Sequence, residues 1–149
     1  MPTFTTGNMW DAYPTADRFV ITTNSFITPD GRLVMGRGIA RAARDRFPGL
    51  DRRLATAIRE RGGHLGTYYL AIDPLTKIIA FQVKHHWNDP ANTSLIQGSA
   101  NALTRLINGH PLNIHLNFPG IGNGHLTRAA VLPYLYDLPP NVTIWEKDS

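Results

Sequence analysis

Apolar positions change their spacing several times along this chain, and each change marks an element. Residues 18–25 (RFVITTNS) are dense in β-branched side chains and predict a strand. Pro29 and Asp30-Gly31 then supply turn chemistry. The spacing becomes helical beyond that turn. Ile39, Ala43 and Phe47 recur every four residues until Pro48-Gly49 stops the run. Leu50, Leu54, Ala57 and Ile58 predict a second helix, closed by Gly62-Gly63.

Two strands are expected next, over 67–72 (TYYLAI) and 77–83 (KIIAFQV), joined like a hairpin by DPLT. The second is almost continuously apolar, as a strand covered on both faces would be. Ser94 and Gln97 read as a capping box before a helix that carries Ile96, Ala100, Leu103 and Ile107. LNIHLNF alternates strictly, with Leu112, Ile114, Leu116 and Phe118 on one face. A glycine loop follows, then a short helix near AAVLPYLY, where Pro133 implies a late start or a kink. VTIW (142–145) is a last strand. No repeat, low-complexity tract or linker interrupts the series. The order β, β, α, α, β, β, α, β, α, β predicts an α/β fold, a mixed sheet with helices on both faces.

Composition narrows the picture. A chain of 149 residues, 42% apolar, fits one domain over 1–149. No apolar run approaches the roughly 18 residues of a membrane span. The opening MPTFTTGNMW has neither the basic region nor the apolar core of a signal peptide. Cysteine is absent, which excludes disulfides and thiolate metal sites and fits a reducing cytosol. The expectation is a cytoplasmic monomer with no membrane partner. The net charge is +4, and eight of the twelve arginines lie between Arg37 and Arg61, opposed there only by Asp45, Asp51 and Glu60. Such a face can steer an anion, nucleic acid included, or can be a solvated helix surface.

Two glycine loops carry the candidate chemistry. Gly36-Arg37-Gly38 opens the first long helix, and PGIGNGHL (119–126) lies between a strand end and the last helix. Glycine lets a ligand approach the backbone, and a helix N-terminus offers unpaired N–H groups with partial positive charge. Each loop alone is as well explained by a tight turn. Together, at ends where strands meet helices, they favour a phosphate site. The phosphate loop of nucleotide hydrolases is excluded, because no glycine-lysine-serine/threonine step exists. A dinucleotide fingerprint fails too, with Arg41 where its third glycine would stand.

Lys84 lies at the carboxyl end of the apolar strand, the edge where both loops should meet. It reads as a nucleophile, as a stabiliser of developing charge, or as a solvated lysine. His85 and His86 point to opposite sides of an extended segment and make a poor chelating pair. No metal-binding spacing occurs elsewhere, so no metal is expected. Either histidine can serve as an acid–base group near neutral pH. Trp87 is expected in the core. Ser25, Ser94 and Ser99 lie in no nucleophile-elbow context.

VMGRGIA followed by RFP, then FQVKHHW, then PGIGNG, in this order and spacing, resembles a macrodomain over nearly the whole chain. The likeness is greatest to two subgroups. One is the antitoxin macrodomain that removes ADP-ribose from thymidine in DNA. The other is the terminal ADP-ribose protein glycohydrolase. The resemblance implies a three-layer α/β/α sandwich and an ADP-ribose site that needs no cofactor. It places Asn8, with Met9, where the family's aspartate meets the adenine amino group, and Asn24 beside the distal ribose. Gly36, Arg37, Gly38, Ile39 and Ala40 match the first diphosphate loop. Pro119, Gly120, Ile121, Gly122, Asn123, Gly124 and His125 match the second. Lys84 matches the lysine that acts on the anomeric carbon of the distal ribose. Two departures are visible. Asn8 is a neutral acceptor, weaker than a carboxylate. Leu126 and Thr127 stand where the protein-directed subgroup has a catalytic aspartate, so a lysine–aspartate pair is not supported. Chemistry would then rest on Lys84, helped by His85, His125 or water. The implied activity is hydrolysis of the glycosidic link in mono-ADP-ribosylated protein or DNA, with a non-catalytic ADP-ribose reader as the alternative. The 37–61 basic face can present a modified nucleic acid to the pocket.

Overall fold

A computed structural model describes residues 1–147. Ten elements follow one another in the expected order: β1 (Thr3–Thr6), β2 (Arg18–Thr23), α1 (Gly38–Arg46), α2 (Leu50–Glu60), β3 (Leu70–Ile72), β4 (Ile78–Gln82), α3 (Thr93–Ile107), β5 (Ile114–Asn117), α4 (Arg128–Val131) and β6 (Val142–Glu146). A 3-10 helix at Met9–Thr15, not foreseen from spacing, joins β1 to β2 and contains Pro14. None of the helices is long and apolar enough to cross a membrane among the described residues.

The six strands form one mixed sheet in the order β1-β6-β5-β2-β4-β3. Every pairing is parallel except the β3/β4 hairpin. Alternation along β2 sends Phe19 and Ile21 to one face and Val20 to the other. The first face packs on α1, α2 and the 3-10 helix. There Leu50, Leu54 and Ile58, spaced four apart, are fully buried. The second face packs on α3 through Ile96, Ala100, Leu103 and Ile107. Each such leucine or isoleucine contributes about 1.5–3 kcal/mol by leaving water. All five residues of β4 are buried, the polar Gln82 at its end included. The expected α/β class, with helices on both faces of a mixed sheet, is the observed one.

Three local readings need correction. Ser94 does not cap α3. Asn92 does, its side-chain oxygen accepting from the N–H groups of Ser94 (2.8 Å) and Leu95 (3.2 Å). The second glycine loop does not feed α4 directly. It closes in a 3-10 turn at Gly122–Gly124, and α4, four residues long, starts after its own cap, Thr127. β3 begins at Leu70 rather than at residue 67, because Tyr69 takes a left-handed conformation (φ 62°) that no strand tolerates.

Candidate functional site

The parallel strands β2, β4 and β5 are neighbours, and their carboxyl ends open on one side of the sheet. In an open α/β sheet this edge is where ligands bind. One pocket sits there. The first glycine loop lines it with Gly36 and Arg37, and α1 adds Ala40. The second loop contributes Gly120, Ile121, Asn123 and Gly124, and the end of β4 contributes Lys84. Asn24 closes the floor beyond β2. Two loops 80 residues apart in the chain are thereby brought face to face. A Cβ built on Gly38 would lie 3.6 Å from the side-chain nitrogen of Asn123.

The loop glycines differ in what the fold asks of them. Gly38 begins α1 at φ 57°, which favours glycine. At Gly120 and Gly124 a side chain would strike neighbours, Ile96 at 2.8 Å and Ala91 at 2.9 Å. Gly36 has neither need. Its φ is ordinary, and a Cβ there would meet no protein atom within 4 Å. Among the described residues, the N–H groups of Gly36, Arg37, Gly120 and Ile121 have no main-chain acceptor. Unpaired donors beside a helix N-terminus suit an anion.

Lys84 is half-buried. Its Nζ donates to two carbonyls, Asp89 O at 3.2 Å and Asn123 O at 3.5 Å. Burial pushes its ammonium below the ordinary lysine value, and the charge of Arg37 pushes it further, while Asp89 opposes both. No carboxylate lines the pocket among the described residues. Asn24 is buried with both ends of its amide engaged, donating to Val34 O (3.0 Å) and accepting from Phe26 N (2.9 Å). It shapes the pocket as a strut.

The remaining sequence-derived residues lie outside this lining. Asn8 is exposed and caps the 3-10 helix, accepting from Trp10 N at 3.1 Å. Met9 is buried in the core beneath α1 and α2. Gly38 and Ile39 form the first turn of α1, while Pro119, Gly122 and His125 complete the second loop without facing the pocket. His85 turns away, its Nδ1 bonded to Gly66 O at 2.6 Å in a separate depression with His64 and His86.

Sequence reasoning missed Thr22, Thr23, Val34, Met35, Val83 and Trp87 on the lining. Most adjoin a recognised motif, so extending each motif by two residues would have found them. Trp87 is the real reversal. It is 41% exposed at the pocket mouth, not in the core. A tight turn holds its loop, with Asn88 N bonded to His86 Nδ1 and Asp89 N to His86 O, both at 3.0 Å. The His86 ring lies between Trp87 and Phe26, with centroids 5.0 and 4.8 Å away.

Half of the eight arginines of the basic face meet a carboxylate. Arg41 and Arg44 meet Asp45, Arg32 and Arg52 meet Asp30, and Arg53 meets Asp73. Arg46 lies over the Trp10 ring. Arg37, Arg46, Arg59 and Arg61 keep no carboxylate partner among the described residues.

No family model matches the chain, and no curated protein matches it in sequence. Solved structures do. The macrodomain of Thermus aquaticus DarG superposes with a TM-score of 0.73 at 24% identity, covering 100% of this chain and 99% of its own. The macrodomain of Mycobacterium tuberculosis DarG gives 0.70 at 23%, with 99% of both chains covered. Thermosipho africanus DarTG, solved in complex with ADP-ribose, gives 0.70 at 16% over 98% of this chain and 42% of that one. At these identities the likeness is one of fold. The protein has the macrodomain fold.

Proposed function

We propose that the chain, acting as one domain, binds ADP-ribose and hydrolyses the glycosidic link that joins it to a modified protein or DNA. The observation that carries this reading is the shared pocket: two glycine loops that hold unpaired backbone donors, and one lysine of lowered basicity, line the same space. The donors suit a diphosphate. A neutral Lys84 Nζ would attack the anomeric carbon of the distal ribose. The bond to the acceptor breaks, the acceptor leaves with the electron pair and takes a proton, and water then frees the ribose and restores the amine. The Thermosipho protein with bound ADP-ribose supports the choice of ligand by shared fold. Neither metal nor cofactor enters the scheme.

A second reading, a reader without chemistry, is favoured by one observation: among the described residues no acid lines the pocket to assist the lysine. Nucleic-acid contact would fall to Arg37, Arg59 and Arg61. The test is release of free ADP-ribose from a modified DNA oligonucleotide and a mono-ADP-ribosylated protein, by wild type and Lys84→Ala. Lysine-dependent release from either substrate supports the hydrolase and names its acceptor. Binding of ADP-ribose without release from either supports the reader.

A further inference from the structure

We propose that Gln82 is the residue that positions Lys84. Gln82 ends β4 and is fully buried. A carboxamide has two N–H donors and two acceptor positions on its oxygen, and here all four are used. Oε1 accepts from Tyr68 N at 2.8 Å and Tyr69 N at 3.1 Å. Nε2 donates to Gly66 O at 2.7 Å and Lys84 O at 3.3 Å. No other residue type of this size supplies that set. A glutamate lacks the donors, and a methionine lacks both donors and oxygen.

The contacts form a clamp around the lysine's backbone. Gly66 O accepts from Gln82 on one side of Lys84 in sequence and from the Nδ1–H of His85 on the other. Val83 N donates to Thr23 O, and His85 O accepts from both the N–H and the hydroxyl of Ser25. The main chain under Lys84 is therefore gripped from 82 to 85. Its ammonium, in contrast, is held only by two loop carbonyls, Asp89 O at 3.2 Å and Asn123 O at 3.5 Å. A fixed base with a loosely held head suits a group that must leave those carbonyls to meet a reacting carbon, where a misplacement of about 1 Å can cost on the order of 100-fold in rate.

This inference rests on the hydrolase reading for its kinetic consequence but not for its geometry, so the test has two readouts. One is the pH profile of acylation of Lys84 by an amine reagent, read by peptide mass spectrometry in the absence of substrate. The other is kcat and KM for ADP-ribose release. Two variants are used. Gln82→Met removes the clamp from the core, and His85→Ala loosens it from the exposed side should the first fail to fold. The expected result is a shifted labelling profile at Lys84, with kcat lowered about tenfold or more while ADP-ribose affinity stays within about twofold. Folded variants that label and turn over like wild type would overturn it. So would equal losses of binding and release, which would make the clamp a support for the whole pocket. If wild type releases nothing, the hydrolase reading fails, and the labelling profile alone decides the place of Gln82.

Discussion

The Nζ of Lys84 donates to the carbonyl of Asn123 at 3.5 Å, and this bond ties the end of β4 to the second glycine loop. Burial and Arg37 together hold the ammonium below the ordinary lysine value of 10.5. A lowered pKa means that the neutral, nucleophilic amine appears at lower pH than in a free lysine. Release of ADP-ribose should therefore rise with pH through that depressed value, and kcat/KM measured from about pH 6 to 10 should show the rise. A flat profile would remove the amine as nucleophile. Lys84→Ala should keep ADP-ribose binding and lose the rise with the activity.

Gly36 is a loop glycine that the fold itself does not need. Since nothing in the protein opposes a Cβ there, Gly36→Ala should leave thermal stability unchanged, or raise it by up to about 1 kcal/mol through the unfolded chain. ADP-ribose binding should fall by about tenfold or more, because the methyl group occupies the space a diphosphate would take. Calorimetric titration beside a melting curve checks both halves. Unchanged affinity would mean that the ligand does not approach this backbone.

Arg53 reaches from α2 to the carboxylate of Asp73, which is fully buried, with bonds of 2.8 and 3.3 Å. Burial alone would push the Asp73 carboxyl up, but the bonds from Arg53 and Thr76 outweigh it and hold the group below 3.8. Replacing Arg53 by methionine strands that carboxylate. A cost of about 2–3 kcal/mol is expected in urea unfolding at neutral pH, kept at the low end because Arg53 is partly exposed. The stabilisation from a depressed carboxyl is present above the unfolded value and is lost as pH falls through the folded one. The difference between wild type and Arg53→Met should therefore shrink below about pH 4.

His115 is buried on β5, and its Nδ1 accepts from Trp145 Nε1 at 2.8 Å, which leaves the proton on Nε2. Burial pushes its pKa below 6.5. The unfolded chain thus takes up a proton at higher pH than the folded one. Stability is complete above about pH 6.5 and is lost as pH falls from there toward the lower folded value. His115→Gln can still accept from Trp145 but does not titrate. Its melting temperature should fall less than that of wild type between about pH 7 and 5. Parallel curves would show that this imidazole is not held neutral.

Elements set by near neighbours in the chain were legible. The four-residue spacing of Ile39, Ala43 and Phe47 and the alternation of LNIHLNF each found their helix or strand. So were both glycine loops and the strand-end lysine, because motif residues sit side by side. What could not be read depends on partners far apart. Arg53 looked like part of a basic surface until Asp73, 20 residues on, was folded beneath it. The role of Gln82 carries no local signal, since its partners lie on the opposite limb of the hairpin. His115 falls on the polar face of its strand by alternation, yet helices cover both faces of this sheet and bury it. Trp87 reads as a core residue in the sequence, whereas the turn at His86–Asp89 turns it out.

A cradle made of main chain is written in the places where side chains are missing. Its neighbours can be exchanged one by one without moving the donors, so the lining offers selection few ways to change what is bound. Only Arg37, Lys84 and Trp87 bring charge or an aromatic ring to that lining. A shift from one acceptor to another, or from cleavage to mere retention, would begin with those three positions and leave the rest of the domain as it stands.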